Sequence, residues 1–338
     1  MKIAICLSGG IDSAVSAYLL KKQGVSLVGI TFKLFEKQKE IEKAKFIAQT
    51  LDIPHHIIDL TQKFQEQIIS YFINTYAQGK TPNPCALCNA KIKFGEVLDW
   101  TLKNLGAEKL ATGHYVDLGE YQGELLLKKP KDTKKDQSYF LSLINKQVLP
   151  FLNFPLSGYL KEEVKIMAKE IFGIETSQES QDVCFLKRTS VKEFLSMFLQ
   201  PKKGPVVYKE KVVGTHEGIF FYTIGQRKGL RLPLGKPLYI TCLDPQTNTI
   251  FLGEKKDLAV KGLVLESLNL HLPIEKWTSP EAQIRYRAPR VKVKDIITEG
   301  KKTKVLFEEV VFGVTPGQVC AFYEKEFLLG GGIIVDKL

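Results

Sequence analysis

The stretch Met1-Lys-Ile-Ala-Ile-Cys-Leu-Ser-Gly-Gly-Ile-Asp-Ser13 decides the fold. Its short apolar run, Ile3 to Leu7, reads as a buried strand. The run breaks at Ser8–Ser13, and a helical pattern then continues from Ala14 to Gln23 and stops at Gly24. A strand, a Gly-rich turn and a helix N-terminus make an anion site. Gly9 and Gly10 let the backbone approach a phosphate, and free N–H groups with the helix dipole favour negative charge. Ser8 and Ser13 add hydroxyl donors, and Asp12 adds a carboxylate able to hold Mg²⁺ or orient a donor. The alternative is an ordinary strand–turn–helix corner.

Outward from this loop the first half of the chain alternates. Leu27–Phe32 and His55–Leu60 read as strands, and Glu36–Leu51 and Phe64–Gln78 as helices. Ile92–Leu105 reads as a helix, and Lys109–Thr112 as a strand ending at Gly113-His114. Such alternation predicts an α/β fold with a doubly wound, mostly parallel sheet, whose ligands bind beyond the carboxyl ends of the strands. From Ile144 to Leu199 the texture is helical. Beyond Lys202 short β runs follow one another, among them Phe220–Ile224 and Ala282–Arg287, with hairpin turns at Asp244–Asn248 and Glu299–Lys302. Four units are expected: an α/β unit carrying the anion-binding loop over 1–143, a helical segment over 144–203, and two small all-β units over 204–262 and 263–338.

Composition narrows the partners. The 338 residues are 44% hydrophobic and 25% charged, enough for real cores. A net charge of +11 favours a polyanionic partner. No apolar run approaches the ~20 residues of a membrane span. The loop stands so close to Met1 that no targeting segment is expected, which points to the cytoplasm. Six cysteines are too few for a disulfide framework in a chain this long.

Two of those cysteines are paired in Thr81-Pro-Asn-Pro-Cys-Ala-Leu-Cys-Asn89. Asn83 suits a helix N-cap and Pro84 the first helical position, so Cys85 and Cys88 fall on one face of the first turn. The positive helix end is expected to lower a thiol pKa there. A structural thiol pair or half a zinc site are the competing readings, but no second Cys-x-x-Cys or His pair completes a zinc site. Cys184, in Ser180-Gln-Asp-Val-Cys-Phe-Leu186, would on its own read as a small buried hydrophobe. Cys6, Cys242 and Cys320 sit in apolar strand patterns.

The first loop carries no Gly-x-x-x-x-Gly-Lys-[Ser/Thr], so no lysine is poised for a γ-phosphate. Ser-Gly-Gly-x-Asp-Ser resembles instead the pyrophosphate-binding PP-loop of the ATP pyrophosphatase superfamily. Together with Thr81–Asn89, Ala111–Tyr115, Lys135–Leu141, Ser180–Phe185, Tyr222–Gly229, Arg285–Arg287, Thr315–Gln318 and Leu329–Gly332, the chain resembles the tRNA-specific 2-thiouridylase family nearly end to end. The resemblance implies that ATP, with Mg²⁺, adenylates the C2 carbonyl oxygen of the wobble uridine of certain tRNAs. A persulfide supplied by a sulfur donor or relay protein then delivers sulfur, and AMP leaves.

Carried over by position, the resemblance makes Cys88 the nucleophile and Cys184 the persulfide carrier. It places ATP at Cys6, Leu7, Ser8, Gly9, Gly10, Ile11, Asp12, Ser13, Phe32 and Gly113. It places the target base at Asn83, Pro84 and Cys85, and other tRNA contacts at His114, Lys135, Asp136, Gln137, Arg285, Tyr286, Arg287 and Gln318. The basic run Lys128–Lys135 is either a solvated loop or a phosphate contact. On a strand, Arg285 and Arg287 would face one side and Tyr286 the other. One departure stands out. Relatives using a disulfide partner commonly carry Asp where this chain has Cys85. Three thiols could instead hold a [4Fe–4S] cluster through Cys85, Cys88 and Cys184. A persulfide relay and cluster-assisted transfer are thus both open. A small-molecule ATP-dependent ligase and a non-catalytic tRNA-binding protein are the alternatives from other classes. The sequence leaves the oligomeric state open, and a monomer is compatible with it.

Overall fold

The computed structural model describes residues 1–35, 38–175, 183–186, 189–230 and 235–338. Ser180, Gln181 and Asp182, and the start of the expected helix at Glu36, lie outside the described residues. The first strand, β1 (Lys2–Cys6), is almost fully buried and passes through the loop into α1 (Ile11–Lys22). Then come β2 (Ser26–Lys33), α2 (Gln38–Thr50) and β3 (His55–Asp59). A helical run follows, α3 (Thr61–Phe64), a π-helical turn Gln65–Ile69 and α4 (Ser70–Ala77). A second comprises α5 (Pro84–Cys88), a π-helical stretch Asn89–Val97 and α6 (Leu98–Leu105). Next are β4 (Lys109–Ala111), the hairpin β5 (Asp117–Tyr121) and β6 (Glu124–Lys128), β7 (Leu152–Asn153), α7 (Lys161–Phe172) and α8 (Val191–Ser196).

Strands β3-β2-β1-β4-β7 form one parallel sheet in that order. Alternation along β1 explains its two covered faces. Ile3, Ile5 and Leu7 join Ala14, Leu20, Ala44 and Ile47 on one side, while Ala4 and Cys6 join Phe64, Ile92 and Phe94 on the other. The chain winds outward from β1 in one direction through β2 and β3, and in the other through β4. The crevice therefore opens beyond the carboxyl ends of β1 and β4, where Ser8–Ser13 and Gly113-His114 lie.

The β half begins with β8 (Gly204–Tyr208), β9 (Lys211–His216), β10 (Tyr239–Asp244) and β11 (Thr249–Gly253), ordered β10-β11-β8-β9. It continues with β12 (Ala259–Leu270), β13 (Glu281–Gln283), β14 (Val291–Glu299), β15 (Lys302–Phe312), β16 (Val319–Glu324) and β17 (Phe327–Lys337). The order β12-β15-β14-β13-β16-β17 closes into a barrel because β12 also pairs with β17. The β5–β6 hairpin attaches to β17 at Phe327↔Lys128, with Tyr121 stacked on Phe327 at 4.8 Å. Both expected hairpin turns form, between β10 and β11 and between β14 and β15.

Two sequence expectations fail. Phe220–Ile224 is no strand: its start lies in a 3₁₀ turn, Ile219–Phe221, whose apolar side chains pack under the β10-β11-β8-β9 sheet. Ala282–Arg287 keeps strand geometry only to Gln283, after which the chain turns and Arg287 adopts φ +62°. Among the described residues no helix is long and apolar enough to cross a membrane.

Candidate active site

The nucleotide loop is closed by its own serines. Ser13 Oγ donates to Gly10 O at 2.8 Å and accepts from Ser8 N at 3.2 Å. Gly9 has φ +77°, and a Cβ there would meet Glu40 O at 2.6 Å, so only glycine fits. Gly10 is the N-cap of α1 and offers no side-chain cap, which leaves the first N–H groups of a twelve-residue helix for a ligand. Cys6 and Leu7 are buried behind the loop, and Phe32 packs into the core beside it.

Gly113 follows β4 and presses on this loop. A Cβ at that position would lie 2.8 Å from Asp12 C and 3.0 Å from both Asp12 O and Ser13 N. All three are backbone atoms and cannot swing aside. Gly113→Ala is therefore expected to raise the KM for ATP at least about tenfold and to cost about 1–3 kcal/mol of stability. ATP titration of the activity and a thermal melt check both.

The sequence reading missed a lysine here. Lys161, the first residue of α7, is 5% exposed. Its Nζ lies 2.6 and 2.7 Å from the two carboxylate oxygens of Asp12. Tyr115 Oη donates to the same carboxylate at 3.1 Å. Lys161 N donates to Asp132 Oδ2 at 2.9 Å, and Tyr115 N to Gln137 Oε1 at 2.8 Å, so both partners are held from behind. No local motif surrounds Lys161. The only signal would have been a lysine opening an amphipathic helix, a common surface pattern.

The cysteine turn forms as its capping residues demand. Asn83 Oδ1 accepts from Ala86 N at 3.1 Å, and Pro84 takes the first helical position. Cys88 is 7% exposed and Cys85 half-buried. The expectation of a lowered thiol pKa is corrected at Cys85. Burial pushes that thiol up to about 11, with the nearby Cys184 adding to the rise and Lys93 opposing it. Desolvation of the thiolate outweighs the positive helix end. Cys184 is exposed, not a buried hydrophobe. Its neighbour Phe185 anchors the segment, packing on Phe72 at 5.0 Å, Phe194 at 5.3 Å and Phe64 at 5.9 Å.

A cavity of about 760 Å³ joins these parts. Gly10, Ile11, Asp12 and Lys161 line its nucleotide end, and Cys85, Cys88 and Cys184 its thiol end. Lys93 and His114 lie in the same lining. His114 shares a 2.8 Å hydrogen bond with Thr112 Oγ1 and packs on Phe94 and Phe154. Burial, and secondarily the Lys93 charge, holds its pKa well below the usual range, so it is a neutral imidazole near pH 7.

Several residues expected to touch tRNA also hold the protein's own chain in place. Gln318 Nε2 donates to Thr81 O at 3.2 Å and Pro82 O at 3.1 Å, while Thr81 N donates to Pro316 O at 2.8 Å. The barrel thus braces the strap before the cysteine turn. Asp136 Oδ1 accepts from Ser138 N at 2.9 Å, and Gln137 holds Tyr115. Lys135 lines the cavity. In the basic run, Lys128 pairs with Asp117 and Lys131 with Glu163, so it is no uniform cationic strip.

The 285–287 turn also changes which faces meet. Tyr286 packs on Phe140 at 4.5 Å, and the Arg287 guanidinium lies 5.2 Å over the Tyr286 ring. Both line the cavity, whereas Arg285 does not. The strand reading put tyrosine and arginine on opposite faces; the left-handed Arg287 brings them together. Among the described residues no group of three His, Cys, Asp or Glu side chains is placed to hold a metal ion. Cys85, Cys88 and Cys184 therefore do not form a ready ligand set for a cluster.

Comparison with known proteins gives three family matches. Residues 1–188 match the tRNA methyl transferase HUP domain, 192–254 the tRNA methyl transferase PRC-barrel domain and 260–334 the aminomethyltransferase beta-barrel domain. Three similar proteins are named tRNA-specific 2-thiouridylase MnmA. The one from Aquifex aeolicus is 41% identical over 100% of both chains. That from Campylobacter lari is 40% identical over 99% of this chain and 100% of its own. That from Persephonella marina is 39% identical over the same shares.

Proposed function

Because the chain belongs to the tRNA-specific 2-thiouridylase family, we propose that it replaces the C2 oxygen of a tRNA wobble uridine by sulfur, using ATP and a Cys184–Cys88 relay. The observation that carries this reading is the shared cavity: nucleotide loop at one end, two inequivalent thiols at the other.

A urea-like carbonyl is a poor electrophile with a poor leaving group. Attack of its oxygen on the α-phosphorus forms a C2–O–P linkage, releases pyrophosphate and loses the N3 proton. Cys184, exposed, can be loaded with sulfane sulfur by a donor protein. The terminal sulfur of that persulfide then adds to C2, and AMP departs with the C2–O bonding pair. The product is a tRNA–S–S–Cys184 disulfide. Cys88 thiolate attacks Cys184 Sγ, which releases 2-thiouridine and leaves a Cys88–Cys184 disulfide. An external thiol reductant restores the pair.

Mg²⁺ would accompany the triphosphate, and Asp12 is the carboxylate at the loop able to hold it. A [4Fe–4S] cluster fits these residues poorly. The three thiols make no ligand set among the described residues. Incubating the protein with ATP, wobble-uridine tRNA, a thiol reductant and labelled persulfide tests the proposal. The expected result is label in RNA as 2-thiouridine, with one AMP and one pyrophosphate per sulfur. ATP cleavage driven by amino acids or free nucleotides, without label in RNA, would favour the small-molecule ligase.

A further inference from the structure

Lys93 has no place in the steps above, yet it stands inside the cavity. It lies on the π-helical stretch Asn89–Val97 that begins directly after Cys88. In an α-helix a residue five places after Cys88 would be rotated about 140° away from it. The i→i+5 register brings position 93 back towards the same side, and short π segments recur at functional sites. Cys85, Cys88, Asn89 and Lys93 accordingly line one cavity from one helical run.

The other cavity lysine of the nucleotide end, Lys161, is matched by Asp12. Lys93 is different: among the described residues no carboxylate lies within ion-pair distance of it. Its position is bracketed by three elements. The charge of the ammonium reaches Cys6 at the end of β1, Cys85 in α5 and His114 after β4: it opposes the burial-driven rise of the two thiols and adds to the burial-driven fall of the imidazole. It therefore sits between the nucleotide loop and the thiols. His114 beside it is neutral, so the charge is not shared. Among the described residues the half-buried ammonium is thus left without a carboxylate, facing a cavity that an anion can enter.

The anion must be one that both ends of the cavity handle. In the proposed reaction the adenylyl phosphate meets that condition. It is formed from ATP at the loop and is expelled as AMP when sulfur reaches C2. We propose that Lys93 is a catalytic residue whose ammonium pairs with the non-bridging oxygens of the adenylyl phosphate on the uridine, during both adenylation and AMP departure. The inference rests on the reaction proposed above.

Lys93→Gln and Lys93→Arg, compared with the parent protein, test it. The first readout is tRNA-dependent pyrophosphate release at saturating ATP. Lys93→Gln is expected to slow it by about 10²- to 10³-fold, the size of effect seen when one preorganised charge-stabilising donor is removed. The KM for ATP and the Kd for tRNA should stay within about threefold, since the loop and the tRNA surface are untouched. Lys93→Arg, which keeps the charge, should recover most of the rate. A Lys93→Gln rate within about threefold of the parent overturns the inference, as does a loss confined to ATP or tRNA affinity. If the Gln variant melts far below the parent, the Arg variant decides: a rate near the parent's supports the pairing, and one as slow as the Gln variant's overturns it. A parent protein that puts no sulfur into tRNA removes the proposed reaction itself. An active parent with an equally active Gln variant removes only Lys93.

Discussion

In a single turnover without added thiol reductant, Cys88→Ser and Cys184→Ser are each expected to cut 2-thiouridine formation by at least about 10⁴-fold, as loss of a covalent nucleophile does. Pyrophosphate release should survive in both. Serine is nearly isosteric with cysteine, so the fold and the nucleotide loop are kept. The hydroxyl stays protonated near pH 7 and neither carries sulfane sulfur nor attacks a disulfide. The two failures should differ in kind. Without Cys184 no sulfur is loaded, and adenylated tRNA accumulates or hydrolyses. Without Cys88 the persulfide still adds to C2, but the tRNA–S–S–Cys184 linkage is not resolved. Cys88→Ser should therefore trap a tRNA–protein adduct, visible on a non-reducing gel and released by dithiothreitol. The exposure of the two residues supports this order, because Cys184 is open to a donor while Cys88 is 7% exposed. Adduct trapped by Cys184→Ser instead would reverse the roles. Thiolation at the parent rate in either variant would remove the relay.

How much of this could be read without coordinates depends on how local each signal is. The loop Ser8–Ser13 and the N-capped cysteine turn are written in adjacent residues, because a Gly-rich corner and an Asn-Pro cap act within a few positions. The uninterrupted apolar run Ile3–Leu7 was likewise enough to imply a buried strand, and it is covered on both faces. Lys161 is 149 residues from Asp12, and nothing near it in sequence marks a buried ion pair. Lys93 was hidden for another reason. Helical periodicity assumes 3.6 residues per turn, and the π register after Cys88 breaks it. The 285–287 turn was misread because Ile284-Arg-Tyr-Arg287 has strand-like composition. One left-handed residue, Arg287, turns the pattern through a corner that propensity does not register. Gln318 illustrates a third limit: its amide also donates to Thr81 O and Pro82 O, more than 230 residues earlier in the chain, a link that no local pattern marks.

Lys161→Met is expected to lower tRNA-dependent pyrophosphate release by about 10²- to 10³-fold while leaving tRNA affinity within about threefold. The loop lacks the lysine of an ATPase P-loop, and Lys161 supplies an ammonium from α7 instead, held on Asp12 at 2.6 and 2.7 Å. Charge that develops as pyrophosphate leaves is stabilised by a cation already in place, since no reorganisation is then needed during the step. The pair also makes an asymmetric prediction for stability. The Lys161 side chain is 6% exposed and that of Asp12 is 35% exposed. Removing Lys161 leaves a carboxylate that water reaches and Tyr115 still supports, so the cost should fall well below the about 3–5 kcal/mol of breaking a fully buried pair. Asp12→Asn, which keeps the shape of the side chain, strands a buried ammonium instead, and that group must lose its proton or be exposed. Asp12→Asn should therefore melt lower than Lys161→Met, although it is the more conservative change in volume. The reverse order of melting temperatures, or a Lys161→Met variant that releases pyrophosphate at the parent rate, would show that the lysine serves the fold and not the nucleotide.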